Sequence, residues 1–159
     1  MINTKDKDGH VSAKNKVKMG IDAHLNNFSV CVIEENGNPK PAQKFNEVGL
    51  LKWVAKHCVE GVEVYTCYEA GPMGFELHRK LEALGVKNVV VQPQNWDERG
   101  KGQKTDALDA KALATRLDRY VAGNKESFAT VRIPSKEEQI KRDLSRHRES
   151  LKEQTKRSG

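Results

Sequence analysis

The chain has 159 residues, with 28 Lys and Arg against 22 Asp and Glu, a net charge of +6 and a pI near 9.2. This length suits one domain with an appended element, and the three cysteines, Cys31, Cys58 and Cys67, are odd in number and lack CxxC spacing, which excludes a disulfide scaffold or zinc ribbon and predicts reduced thiols in a cytoplasmic protein. No segment is apolar enough for a signal peptide or a membrane span, so no membrane partner is expected and the positive charge favours a polyanion such as nucleic acid.

Residues 1–16 read as a polar, lysine-bearing tail. Val17–Ile21 is an apolar strand closed by Asp22, and after an Asn26-Asn27 turn Phe28–Ile33 forms a second strand. The run Glu35-Asn36-Gly37-Asn38-Pro39 is a strong turn signal, leading to a third antiparallel strand over Ala42–Asn46. Val48, Leu51, Val54 and Ala55 recur at helical spacing and predict a helix over Glu47–His57. A strand from Val62 ends at Glu69, a helix over Gly74–Leu84 stops at Gly85, and Val86–Val91 is a fifth strand. A long helix runs from Thr105 to Val121 with an apolar stripe of Ala110, Leu113, Ala114, Leu117, Tyr120 and Val121.

Three antiparallel strands, then helix, strand, helix, strand and a long helix is a ribonuclease H-like α/β order: a five-stranded mixed sheet covered on both faces. In that layout the first and fourth strands are parallel neighbours roughly 4.8 Å apart, so acids at their carboxyl ends come within reach of one cation. Asp22 and Glu69 occupy those ends. Asp106 lies on the N-terminal extension of the long helix's stripe and Asp109 at its edge, so both are predicted to face the sheet. Four carboxylates from three elements have the make-up of a two-metal site: Mg²⁺ or Mn²⁺ ions about 4 Å apart, held by oxygen ligands, clamp the attacking and leaving oxygens of a phosphate ester.

Each acid also has a plainer role. Asp106 and Asp109 suit a helix N-terminus, where they cap amides and complement the dipole, and Asp22 and Glu69 can simply meet solvent at strand ends. His24, two residues past Asp22, reads as a surface histidine, though its position would also let it touch substrate phosphate. Trp96 with Arg99, Lys101 and Lys104 forms an aromatic and basic loop fit for stacking and phosphate contact. From Ser135, an N-cap with Glu138 at N3, a basic helix carries Ile140, Leu144 and Leu151 as a thin coiled-coil-like seam, and its Lys141, Arg142, Arg146 and Arg148 complete the candidate nucleic-acid surface. A strand ending in Asp followed by a hairpin also opens the first lobe of an actin-like ATPase or sugar kinase, but the turn Ala23-His24-Leu25-Asn26 lacks the small residues that wrap phosphates. A structure-specific endonuclease and a non-catalytic nucleic-acid-binding module are also compatible with these patterns.

The segments Gly20-Ile21-Asp22, Tyr68-Glu69-Ala70-Gly71 and Lys104-Thr105-Asp106-Ala107-Leu108-Asp109-Ala110, in this order and spacing, resemble the N-terminal domain of the DEDD transposases. These are the Piv-like recombinases of insertion sequences, a group that includes bridge-RNA-guided enzymes. The resemblance implies a RuvC-like fold in which Asp22, Glu69, Asp106 and Asp109 stand at the family's four acidic positions, with residues 17–132 forming the catalytic domain and residues 133–159 beginning the family's coiled coil. It implies DNA as substrate, a structured guide RNA as a possible partner and a homo-oligomer formed through the last helix in the full-length protein. Family members continue into a second domain bearing a serine nucleophile, and none of this chain's serines takes that place. The expectation is a catalytic domain that binds metal and nucleic acid with little recombination of its own.

Overall fold

The computed structural model describes residues 15–35, 37–71, 73–93 and 106–158. Its strands are β1 (Asn15–Ala23), β2 (Phe28–Ile33), β3 (Gln43–Phe45), β4 (Val62–Glu69) and β5 (Lys87–Val91), and its helices are α1 (Glu47–His57), α2 (Glu76–Ala83), α3 (Asp106–Val121) and α4 (Lys136–Arg157). The strands form one mixed sheet in the order β3-β2-β1-β4-β5, antiparallel on the β3-β2-β1 side and parallel across β1-β4-β5. This is the ribonuclease H-like arrangement expected from the element order.

Side chains alternate across a strand, so each half of β1 serves a different layer. Val17, Met19 and Ile21 point to the face covered by Leu50 and Val54 of α1 and by Leu77 and Leu81 of α2. Lys18, Gly20 and Asp22 point to the opposite face, where α3 lies. There Ala110 and Ala114 pack against Cys31 and Ile33 of β2, and Leu113 and Leu117 pack against Cys67, Val91 and Phe128. Because both faces of β2 are covered, all six of its residues are buried and its sequence is apolar apart from Ser29 rather than alternating.

Gly20 determines how closely α3 can approach. A Cβ added there would run into Ala114 N and Ala110 O and would lie 2.9 Å from Ala114 Cα, so the helix backbone rests directly on the β1 backbone. Farther along the helix, Lys18 Nζ meets Asp118 Oδ1 at 3.1 Å, and the Lys18 side chain is only 8% exposed. A close backbone contact and a largely buried ion pair thus fix both the height and the register of α3 over β1.

On the other face a polar network ties β4, β5 and α2 together. Thr66 Oγ1 donates to Asn88 Oδ1 at 2.6 Å, Asn88 Nδ2 donates to His78 Nδ1 at 2.8 Å, and the His78 backbone N–H donates to the Tyr68 hydroxyl at 3.2 Å. Burial lowers the pKa of His78 and pushes that of the Tyr68 phenol up to about 12.

The predicted bounds shift in a few places for local reasons. β1 begins at Asn15, inside the polar tail, because Asn15 and Lys16 pair with Val62 and Glu63. α2 begins at Glu76 rather than Gly74, since Gly74 has φ +70 and cannot be its first turn. It ends as expected: Gly85, at φ +88, donates to Glu82 O at 3.0 Å and Val86 N donates to Leu81 O at 3.3 Å, a Schellman closure. One pairing was not anticipated. After α3 the chain returns along β5, with Gln92 N donating to Ala129 O at 2.9 Å and Val131 N donating to Val90 O at 2.8 Å, which covers that sheet edge.

α4 starts where Ser135 Oγ accepts from Glu138 N at 3.1 Å. The Glu138 carboxylate does not return to the cap; it pairs with Arg132 Nη2 at 2.6 Å. Arg79 docks this first turn through Gln139 Oε1 at 2.8 Å and Pro134 O at 3.2 Å. No residue of α4 is buried, and Ile140, Leu144 and Leu151 are each about half or more exposed.

Candidate metal centre

The parallel register brings two of the acids together. Gly20 pairs with Cys67 and Ile21 with Tyr68, so Asp22 and Glu69 follow on the next rung, side by side at the carboxyl end of the sheet and both on the α3 face. Ala70 N donates to Val91 O at 2.8 Å, which holds the chain just past Glu69 against β5. The remaining two acids come from α3. With Ala110 and Ala114 seated on Gly20, the first turn of the helix overhangs the end of β1 and carries Asp106 and Asp109 to Asp22. Asp22, Glu69, Asp106 and Asp109 line one cleft of about 440 Å³, together with Ala23, His24, Ala70 and Gly71.

His24 belongs to this site, in a role that a turn histidine in the sequence did not reveal. Its Nε2 lies 2.9 Å from Asp22 Oδ2 and 3.0 Å from Asp106 Oδ1, bridging the end of β1 and the start of α3. The pairing raises the His24 pKa, chiefly through the hydrogen bond to Asp22. The Asp22 carboxyl, 17% exposed, is also held above its ordinary range: burial is the largest cause, the negative charges of Asp109 and Asp106 add to it, and His24 opposes it. The only sequence signal for His24 was its distance of two residues from Asp22; its contact with Asp106, 82 residues away, needs the fold.

The four carboxylates suit a hard divalent cation. Asp22, His24 and Asp106 each offer one ligand atom within 4.8 Å of the others, and the carboxylate oxygens are the ligands that Mg²⁺ and Mn²⁺ favour. The nucleic-acid candidates are split. Lys141, Arg142, Arg146 and Arg148 are all exposed along α4, whereas Trp96, Arg99, Lys101 and Lys104 lie outside the described residues. Cys31 and Cys67 are buried free thiols, and Tyr68 is a core residue. Among the described residues no helix is long and apolar enough to cross a membrane.

Residues 19–158 match the family model of IS110-type DEDD transposases. The chain is 34% identical over 147 residues to the transposase for insertion sequence element IS1533 of Leptospira borgpetersenii, an alignment covering 87% of this chain and 40% of that protein. Two Sinorhizobium fredii chains named as transposases are also similar: y4rJ at 38% over 85 residues, covering 52% of this chain and 22% of the relative, and y4qE at 34% over 142 residues, covering 85% and 34%. The chain therefore spans at most about two fifths of these relatives. An acid-lined cleft on a ribonuclease H-like sheet agrees with this similarity, which displaces the ATPase-like reading. The chain belongs to the IS110-type DEDD transposase family.

Proposed function

We propose that residues 17–132 are the catalytic domain of a transposase, in which Asp22, Glu69, Asp106 and Asp109 hold divalent cations, Mg²⁺ or Mn²⁺, against a DNA phosphodiester for strand cleavage and exchange. The observation that carries this reading is the convergence of four acids from β1, β4 and α3 on one cleft. The fit of a cation rests on the donor set: the four carboxylates lining the cleft offer the oxygen ligands that Mg²⁺ and Mn²⁺ favour, and bound positive charge would offset the mutual repulsion of clustered acids. Cations bound there would polarise the phosphate and stabilise charge that develops on its oxygens.

The chain's own residues do the positioning. β1 and β4 fix Asp22 and Glu69 through sheet hydrogen bonds, and the Gly20 contact sets the height of Asp106 and Asp109, so the acids sit on rigid elements rather than on a loop. The exposed basic residues of α4, with the Arg99–Lys104 segment, would meet the phosphate backbone of DNA or of a structured guide RNA. The unpartnered Ile140, Leu144 and Leu151 seam would join a second copy, and strand exchange would require a serine-bearing second domain such as the longer family members possess.

Mn²⁺ titration followed by calorimetry and by EPR, with and without a DNA duplex, tests the metal centre. Asp22→Asn and Asp109→Asn should abolish binding and leave the circular dichroism spectrum unchanged. If wild-type protein takes up no Mn²⁺ even with DNA bound, the catalytic reading is wrong and the acids serve as caps and strand ends.

A further inference from the structure

We propose that His24 is itself a ligand of the metal centre, making it a mixed nitrogen and oxygen site that favours a first-row transition ion over Mg²⁺. This inference rests on the metal-binding reading above and goes beyond its four acids.

Geometry carries it. A single atom, His24 Nε2, stands 2.9 Å from Asp22 Oδ2 and 3.0 Å from Asp106 Oδ1. One ring nitrogen bears at most one proton, so it cannot give straight hydrogen bonds to both oxygens at once. The same spacing has a simpler meaning around a cation. Adjacent ligands on an octahedral ion with bonds of about 2.1 Å lie about 3.0 Å apart, and both separations agree with that edge. The three donor atoms come from the end of β1, the following turn and α3, and all face one another within 4.8 Å. His24 is half exposed in the cleft, so its ring is open to solvent and to an ion.

The chemistry separates metals. Mg²⁺ demands oxygen ligands and gives up water reluctantly, whereas imidazole is an ordinary ligand for first-row transition ions. A site with His24 in its inner sphere therefore raises affinity for Mn²⁺ relative to Mg²⁺. His24→Ala should weaken Mn²⁺ binding by at least about tenfold, because loss of an outer-sphere partner alone costs that much, and should change Mg²⁺ binding by far less. His24→Asp, which replaces the nitrogen donor with an oxygen donor, should raise Mg²⁺ affinity without restoring the preference for Mn²⁺.

The deciding experiment is pulsed EPR of Mn²⁺ bound to the full chain with a DNA duplex, paired with Mn²⁺ and Mg²⁺ competition. The expected result is a directly bound ¹⁴N signal in wild type that disappears in His24→Ala while Asp22-dependent Mn²⁺ binding persists. Mn²⁺ bound through Asp22 with no nitrogen signal, or a Mn²⁺ to Mg²⁺ ratio unchanged in His24→Ala, would overturn the assignment of His24 and leave the acidic centre standing. No Asp22-dependent Mn²⁺ at all would remove both readings together. Because His24 lies on an exposed turn, the variants should fold, and matching thermal transitions would confirm it.

Discussion

Gly20→Ala is the smallest change that should disturb both the fold and the metal centre. The new Cβ would collide with Ala114 N and Ala110 O and sit 2.9 Å from Ala114 Cα, all helix backbone atoms that cannot rotate away. Carbon atoms pack comfortably at about 3.5 Å or more, so α3 would have to retreat by at least ~0.6 Å. That retreat loosens Leu113 and Leu117 against Cys67 and Val91 and strains the Lys18–Asp118 pair. Overpacking costs about 1–3 kcal/mol, and an unyielding backbone contact places Gly20→Ala near the upper end. For a domain of this size about 3 kcal/mol lowers Tm by roughly 6–12 °C. The same retreat draws Asp106 away from its 3.0 Å contact with His24, so Mn²⁺ affinity should fall as well. Thermal denaturation followed by circular dichroism, together with Mn²⁺ titration of the variant below its transition, measures both effects. A Tm within about 2 °C of wild type and unchanged Mn²⁺ affinity would show that α3 does not depend on the bare backbone at Gly20.

Asp118→Asn should destabilise the fold by about 2–3 kcal/mol, because it leaves the Lys18 ammonium buried without its counter-charge; the partial exposure of Asp118 keeps the loss below that of a fully buried pair. Lys18→Met combined with Asp118→Asn should recover much of that loss in urea unfolding, and a double variant no better than Asp118→Asn alone would count against the pairing. His78, whose Nδ1 accepts from Asn88, is held neutral in the fold by burial, so its folded pKa lies below its unfolded value of about 6.5. Its contribution is therefore complete above that pH and is lost as pH falls toward and through the folded pKa. The stability difference between wild type and His78→Gln should shrink from pH 7.5 to pH 5.5, and a constant difference would contradict the neutral acceptor. Neutralising Lys141, Arg142, Arg146 and Arg148 together should flatten the slope of log K against log salt for DNA by about 3–4 units if each meets a phosphate; an unchanged slope would make α4 a solvated helix with no part in binding.

Much of this protein is legible in one dimension because its patterns are local. Runs such as Phe28–Ile33 and Val62–Glu69 mark strands through apolar, β-branched content, and Gly85 marks the end of α2 because only a residue tolerant of positive φ closes it. The order of those elements then implies the sheet order, and with it the meeting of Asp22 and Glu69, since parallel neighbours end on the same side. Other features depend on contacts between residues far apart in the chain, which no local pattern records. Lys18 looks like an interruption in an apolar strand until Asp118, a hundred residues on, pairs with it across the α3 layer. Gly20 reads as an ordinary strand residue, and only the fold places the α3 backbone where its side chain would have been. The same holds for the 128–131 segment covering the β5 edge and for His24, whose nearness to Asp22 in sequence does not reveal its contact with Asp106. Sequence alone determined which acids stand at the ends of β1, β4 and α3. Tertiary structure decided how near they come and that an imidazole stands between two of them, because those distances depend on how closely a helix can rest on a strand that has no side chain beneath it.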